Sequence, residues 1–70
     1  MKGVAAMLNT KKLAELMENK GITNRWLAHQ LSVTEQFIHY VVNGRKIPSL
    51  AVYVDMCKHL DISLDELIIK

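Results

Sequence analysis

The side chains best suited to nucleophilic attack or transition-metal ligation are His29, His39, His59 and Cys57. Their spacing assembles neither chemistry. His39 has no His or Cys three or four residues away, and Cys57 and His59, two apart, fall on different sides of a helix. A single thiol can form no internal disulfide and no Cys-based zinc site, so Cys57 reads as a small buried residue. No nucleophile, base and orienting group can be gathered from these residues. Neither an enzyme, a metal site nor a cofactor is expected.

The chemistry that does recur is capping chemistry. An apolar residue, then Ser, Thr or Asn, then three residues, then another apolar residue occurs as Leu8-Asn9…Leu13, Ile22-Thr23…Leu27, Val33-Thr34…Ile38 and Ile62-Ser63…Leu67. The side-chain oxygen can accept from an orphan amide of a first helical turn while the two apolar groups close over it as a staple. Glu66 adds the capping-box acid to the last of these, and Ser49 after Pro48 offers a weaker cap. Gly21 and Gly44 supply stops, because glycine enters the left-handed region without strain.

These signals predict an all-α domain of five short helices, at roughly 10 to 20, 24 to 31, 35 to 43, 50 to 60 and 64 to 69. Residues 1 to 8 read as an N-terminal tail and 9 to 70 as the domain. Apolar residues at helical spacing give one core: Leu13 with Leu16 or Met17; Leu27, Ala28 and Leu31; Ile38 and Val41; Leu50, Tyr53, Val54 or Met56, Cys57 and Leu60; Leu64, Leu67 and Ile68.

The chain has 70 residues, half of them apolar, which is one small domain near the lower limit for a core without disulfides or metal. No apolar run approaches the roughly 18 residues that span a bilayer, and "MKGVAAML" is short for a signal peptide. A cytoplasmic protein with no membrane association is expected. Charge is uneven: Lys2, Lys11, Lys12, Lys20, Arg25, Arg45 and Lys46 precede residue 47 against Glu15, Glu18 and Glu35, whereas Lys58 and Lys70 face four acids beyond it. A basic front and an acidic rear suit one face turned to a polyanion, although they also suit plain solvation.

The connection between the second and third helices is only Ser32, Val33 and Thr34. Helices so closely joined cannot fold back antiparallel, so the pair reads as a helix-turn-helix, with Ala28 small enough for close approach and Val33 tucked under the turn.

The stretch "ITNRWLAHQLSVTEQFIHYVVNGRKIPSL" resembles the helix-turn-helix of the lambda-repressor-like, Cro-type (XRE) family of DNA-binding regulators. The likeness rests on Leu27-Ala28, Leu31, Val33, Thr34, Ile38, Gly44, Arg45-Lys46 and Pro48-Ser49, with "DISLDEL" similar to the start of the family's final helix. It covers nearly the whole chain. The resemblance implies a five-helix domain acting as a transcriptional regulator, a repressor of a bacterium or phage, whose third helix enters the major groove of double-stranded DNA. It places Glu35, Gln36, Phe37, His39 and Tyr40 toward bases, and Thr23, Asn24, Arg25, Thr34, Asn43, Arg45 and Lys46 toward phosphates. Lys11 and Lys12 would add phosphate neutralisation. A homodimer through Leu64, Ile68 and Ile69 is implied as well.

Gln36 can bond bidentately to adenine, Glu35 can accept from cytosine N4, and Phe37 can pack on a thymine methyl. Glu35 serves equally as a first-turn acid favoured by the helix dipole, and Phe37 and Tyr40 can instead lean on neighbouring helices. Three residues depart from the family pattern. Ser32 stands where the turn usually has Gly, so strain is expected there; Trp26 and Val42 occupy positions that are usually polar. No Lys or Arg lies between Glu35 and Asn43. Those departures fit a rival reading, a protein-interaction module of the same fold, antitoxin-like or antirepressor, gripping a partner through Trp26, Phe37, Tyr40 and Val42.

Overall fold

Every helix starts where a side-chain oxygen can take a backbone proton. In the computed structural model, which describes residues 8–69, the helices are α1 (Thr10–Lys20), α2 (Asn24–Leu31), α3 (Glu35–Val42) and α4 (Leu50–Leu60). Asn9 Oδ1 accepts from the amide of Lys12, Thr23 Oγ1 from Trp26 and Thr34 Oγ1 from Phe37, each at 3.0 Å, and Ser49 Oγ accepts from Val52 at 3.3 Å. Each such cap contributes about 0.5–2 kcal/mol.

The helix ends share one device. The residue after each helix or its cap is left-handed: Gly21 (φ 69°), Ser32 (φ 57°), Gly44 (φ 77°) and Asp61 (φ 57°). The next amide then reaches back to a carbonyl in the last turn: Ile22 to Met17 (2.8 Å), Val33 to Ala28 (3.0 Å), Arg45 to Tyr40 (2.7 Å) and Ile62 to Cys57 (3.1 Å). This is the Schellman arrangement, which satisfies carbonyls the helix leaves over. Ile22, Val33 and Ile62 then pack on the core. Arg45 stays exposed. The strain expected at Ser32 is present, since a non-glycine residue in this region costs about 1–2 kcal/mol; Asp61 tolerates it better because its short polar side chain can bond locally.

The core gathers Leu13 and Met17 of α1, Leu27 and Ala28 of α2, Ile38 and Val41 of α3, and Tyr53, Met56, Cys57 and Leu60 of α4, closed by Leu8 and Leu67. α2 packs against α3 and α4, and α1 against α3. Leu8, the last residue assigned to the tail, is therefore buried; residues 1 to 7 of that tail lie outside the described residues. Leu50, expected in the core, is 67% exposed at the start of α4, and Leu64 is 50% exposed.

The fifth helix is not formed among the described residues: 64–67 is a run of turns, and four helices make up the all-α architecture. Tertiary partners take the groups that a helix needs. The Leu67 carbonyl accepts from the amide of Asn9 (2.7 Å), and Leu8 and Ile68 pair as an isolated antiparallel bridge. The Leu64 carbonyl accepts from the Tyr53 hydroxyl. Ser63 Oγ donates to Asp65 Oδ1 (2.8 Å), and Glu66, expected to complete a capping box, pairs with Lys12 at 2.9 Å. The segment is thus clamped across the beginning of α1.

Tyr53 ties this clamp to the core. Burial, reinforced by its hydrogen bond with Cys57 and the charge of Asp65, pushes the phenol up to about 12, with the backbone of Leu67 acting in the opposite sense. Burial also pushes the Cys57 thiol up, opposed by its bond to Tyr53. Both groups belong to the interior, and no group of three His, Cys, Asp or Glu among the described residues could hold a metal.

Candidate nucleic-acid interface

α3 has eight residues, and its burial pattern separates two faces. Ile38 and Val41, three apart, are sealed in the core, while Phe37, Tyr40 and Val42 are half-buried at the margins. Glu35, Gln36 and His39 face outward with Asn43 just beyond the helix. Ser32 directs the chain out of α2 and Thr34 restarts it, so the leading edge of α3 is free of the core. Of the five residues expected at bases, three are therefore exposed, and the two aromatic ones divide themselves between the surface and the body.

The polar residues of this edge are bonded to one another. Gln36 Nε2 donates to the Tyr40 hydroxyl at 3.0 Å, and Asn43 Nδ2 lies 3.0 Å from His39 Nε2. Both pairs are four residues apart, the spacing at which helical side chains meet. An open cleft of about 150 Å³ beside them is lined by Thr34, Gln36, Phe37, Tyr40 and Lys46. Its chemistry is a hydroxyl, an amide, a phenol and an ammonium around one aromatic wall. The spacing of Gln36 and Tyr40 was visible in the sequence; the arrival of Lys46, ten positions from Gln36, was not.

The residues expected at phosphates lie at the start of α2 and at the two ends of α3. Thr23 and Thr34 spend an acceptor lone pair on capping α2 and α3, which leaves each hydroxyl proton available to donate. Asn24 is half-buried as the first residue of α2, whereas Arg25, Asn43, Arg45 and Lys46 are exposed. The backbone amides of Arg45 and Lys46 both donate to the Tyr40 carbonyl, at 2.7 and 3.2 Å, which fixes where these two cations leave α3. The ion pair among the described residues joins Lys12 to Glu66, so Arg25, Arg45 and Lys46 keep their charge uncompensated there. Lys12, expected to neutralise phosphate, is instead compensated by Glu66.

Trp26 is 44% exposed and meets His59 of α4 edge-on, with ring centroids 6.1 Å apart. Val42 is half-covered by the core. Neither the dimer residues Leu64, Ile68 and Ile69 nor the partner residues form a continuous helix face; Ile68 packs inward while Leu64 and Ile69 are exposed.

Two helices joined through a left-handed corner, with a polar leading edge on the second and uncompensated cations beside it, define the helix-turn-helix class. The family model described as a helix-turn-helix domain matches residues 11–67, and the chain belongs to that family, in its lambda-repressor-like form. Curated proteins give no match to the chain. Membership in this family points to a DNA-binding regulator.

Proposed function

We propose that the chain is a sequence-specific transcriptional regulator of the Cro type, a repressor that inserts α3 into the major groove as a homodimer. The observation that carries this reading is the exposed edge of Glu35, Gln36, His39 and Asn43 with Arg45 and Lys46 at its far end, these two and Arg25 having no carboxylate partner among the described residues. Amides and a carboxylate offer donors and acceptors that complement base edges, and the cations are suited to neutralise phosphates. Glu35, Gln36, Phe37, His39 and Tyr40 meet bases; Thr23, Asn24, Arg25, Thr34, Asn43, Arg45 and Lys46 meet the backbone.

One copy carries one such helix and is 32 Å in its longest dimension. Successive half-sites are about 34 Å apart, so two copies are needed to read both. Exposed Leu64 and Ile69, with Ile68 between them, are the surface assigned to that pairing. No helix among the described residues is long and apolar enough to cross a membrane.

The test is selection of bound sequences from random duplexes, followed by titration at several salt concentrations. The three cations assigned to phosphates in each copy, Arg25, Arg45 and Lys46, predict a slope of log K against log salt of about −3 for one copy and about −5 for a pair. The absence of any Lys or Arg in α3 and the exposure of Trp26 favour a second reading, a protein-interaction module. An apolar protein contact would hold or tighten as salt rises, the opposite of the DNA result.

A further inference from the structure

We infer that the Tyr40 hydroxyl is a positioning group for Gln36, holding its amide so that α3 selects adenine over guanine at one base pair. The inference rests on the reading of α3 as the groove helix and names a residue that sets its specificity.

Gln36 is exposed, and a free glutamine side chain turns about three bonds and can present either end of its amide. Here one Nε2 proton is spent on the Tyr40 oxygen at 3.0 Å. What remains for a base is the second N–H and the carbonyl oxygen, a donor beside an acceptor. Adenine offers the matching pair, N7 to accept and N6 to donate. Guanine offers N7 and O6, both acceptors, so the Gln36 carbonyl would be set against O6 and the contact becomes repulsive. A released amide can rotate to give guanine its N–H groups, and that freedom is what the phenol removes.

Tyr40 is suited to the task because it is itself held. Its ring is half-buried and shares the cleft wall with Phe37, and its backbone carbonyl receives the amides of both Arg45 and Lys46. The turn of helix that carries the phenol is therefore pinned from below. Lys46 lines the same cleft.

The experiment compares the full chain with Gln36→Ala, Tyr40→Phe and the double variant, on the preferred duplex and on duplexes changed one base pair at a time. Tyr40→Phe keeps the ring and the packing, and a thermal melt by circular dichroism should be unchanged. Gln36→Ala is expected to flatten the adenine preference at one pair by about 5- to 150-fold, the value of a good bidentate contact. Tyr40→Phe should lower it at the same pair by about 2- to 12-fold, the cost of ordering one flexible side chain. At that pair the double variant should match Gln36→Ala, because the phenol acts there through the amide. In the free protein, the two Gln36 side-chain amide proton resonances should draw together in Tyr40→Phe.

Additive losses at that pair in the double variant, or a wild-type preference for guanine there, would each overturn the inference. A flattened preference in Gln36→Ala with none in Tyr40→Phe would sink the positioning role while sparing the groove reading. Unchanged preference in Gln36→Ala would remove the groove reading of Gln36 and this inference with it.

Discussion

"LSVTEQFI" at 31–38 and "LDISLDEL" at 60–67 are written in the same local grammar: Leu, a polar residue, a β-branched apolar residue, a hydroxyl residue, and an apolar residue four further on. Both open alike. Ser32 and Asp61 are left-handed with the same φ of 57°, and Val33 and Ile62 reach back to the preceding helix and pack on the core. Then they part. Thr34 accepts from the amide of Phe37 and a helix follows; Ser63 donates to Asp65, and a set of turns follows. The difference lies in what else competes for the backbone. Among the described residues nothing outside α3 takes its carbonyls before its last turn, whereas those of Leu64 and Leu67 are taken by Tyr53 and Asn9. Local sequence proposes a helix, and long-range bonds decide whether it is built.

The sharpest way to probe that contrast is at the fourth position after each hydroxyl. Ile38 and Leu67 are both sealed from solvent, so Ile38→Ala and Leu67→Ala should each cost about 2–5 kcal/mol in denaturant unfolding. A small loss for Leu67→Ala alone would mean that the clamp is only a loose cover.

Tyr53→Phe strips the Leu64 carbonyl of its partner and should cost about 1–3 kcal/mol. Hydrogen exchange should speed up at Asn9 and Ile68 while the amides of α3 keep their protection. The phenol also gives the contrast a pH axis. Its folded value of about 12 stands above the ordinary 10.0, so the folded state favours the protonated form. That stability is complete below about pH 10 and is lost as pH rises toward about 12. Cys57, also raised by burial, adds a loss of the same sign that begins nearer the ordinary thiol range. Urea melts from pH 8 upward should show the decline for the native chain, and Tyr53→Phe should lose the steeper upper part of it.

Smaller effects separate the two hydroxyls. Thr34→Ala removes a cap and should cost about 1 kcal/mol, whereas Ser63→Ala, whose bond to Asp65 is exposed, should stay within about 0.5 kcal/mol of the native chain. Equal losses would place Ser63 in a capping role after all.

The least effect is expected at the corners. Ser32→Gly relieves the left-handed strain against some added freedom in the unfolded chain, for a net gain of up to about 1 kcal/mol. Asp61→Gly should gain less, because Asp already accepts the conformation. A thermal melt of the two variants side by side distinguishes them.

The beginnings of α1 to α4 were legible because Asn9, Thr23, Thr34 and Ser49 act within three residues of themselves. The stops at Gly21 and Gly44 were legible for the same reason, whereas the strain at Ser32 followed from the family resemblance, which puts Gly at that turn. The fate of 64–69 was not, since Tyr53 and Asn9 lie too far away in sequence to announce their claims on it. Asp61 escaped notice because nothing in its type demands a left-handed backbone. Leu50 and Leu64 fit the helical spacing of core residues yet sit at element edges, where periodicity does not say which way the chain turns. In α3 the outward face followed from Ile38 and Val41, while the Lys46 side of its cleft depended on the exit through Gly44.

The bridge between Leu8 and Ile68 brings positions sixty residues apart into register as neighbours. A short peptide could therefore join the two flanks, and a chain circularly permuted in this way, reopened at the Ile47–Pro48 loop, would still place α2 and α3 in unbroken succession. By the same geometry, fluorophores mounted on the two flanks would report one locality, and their separation on unfolding would follow the clasp rather than the corner at Ser32.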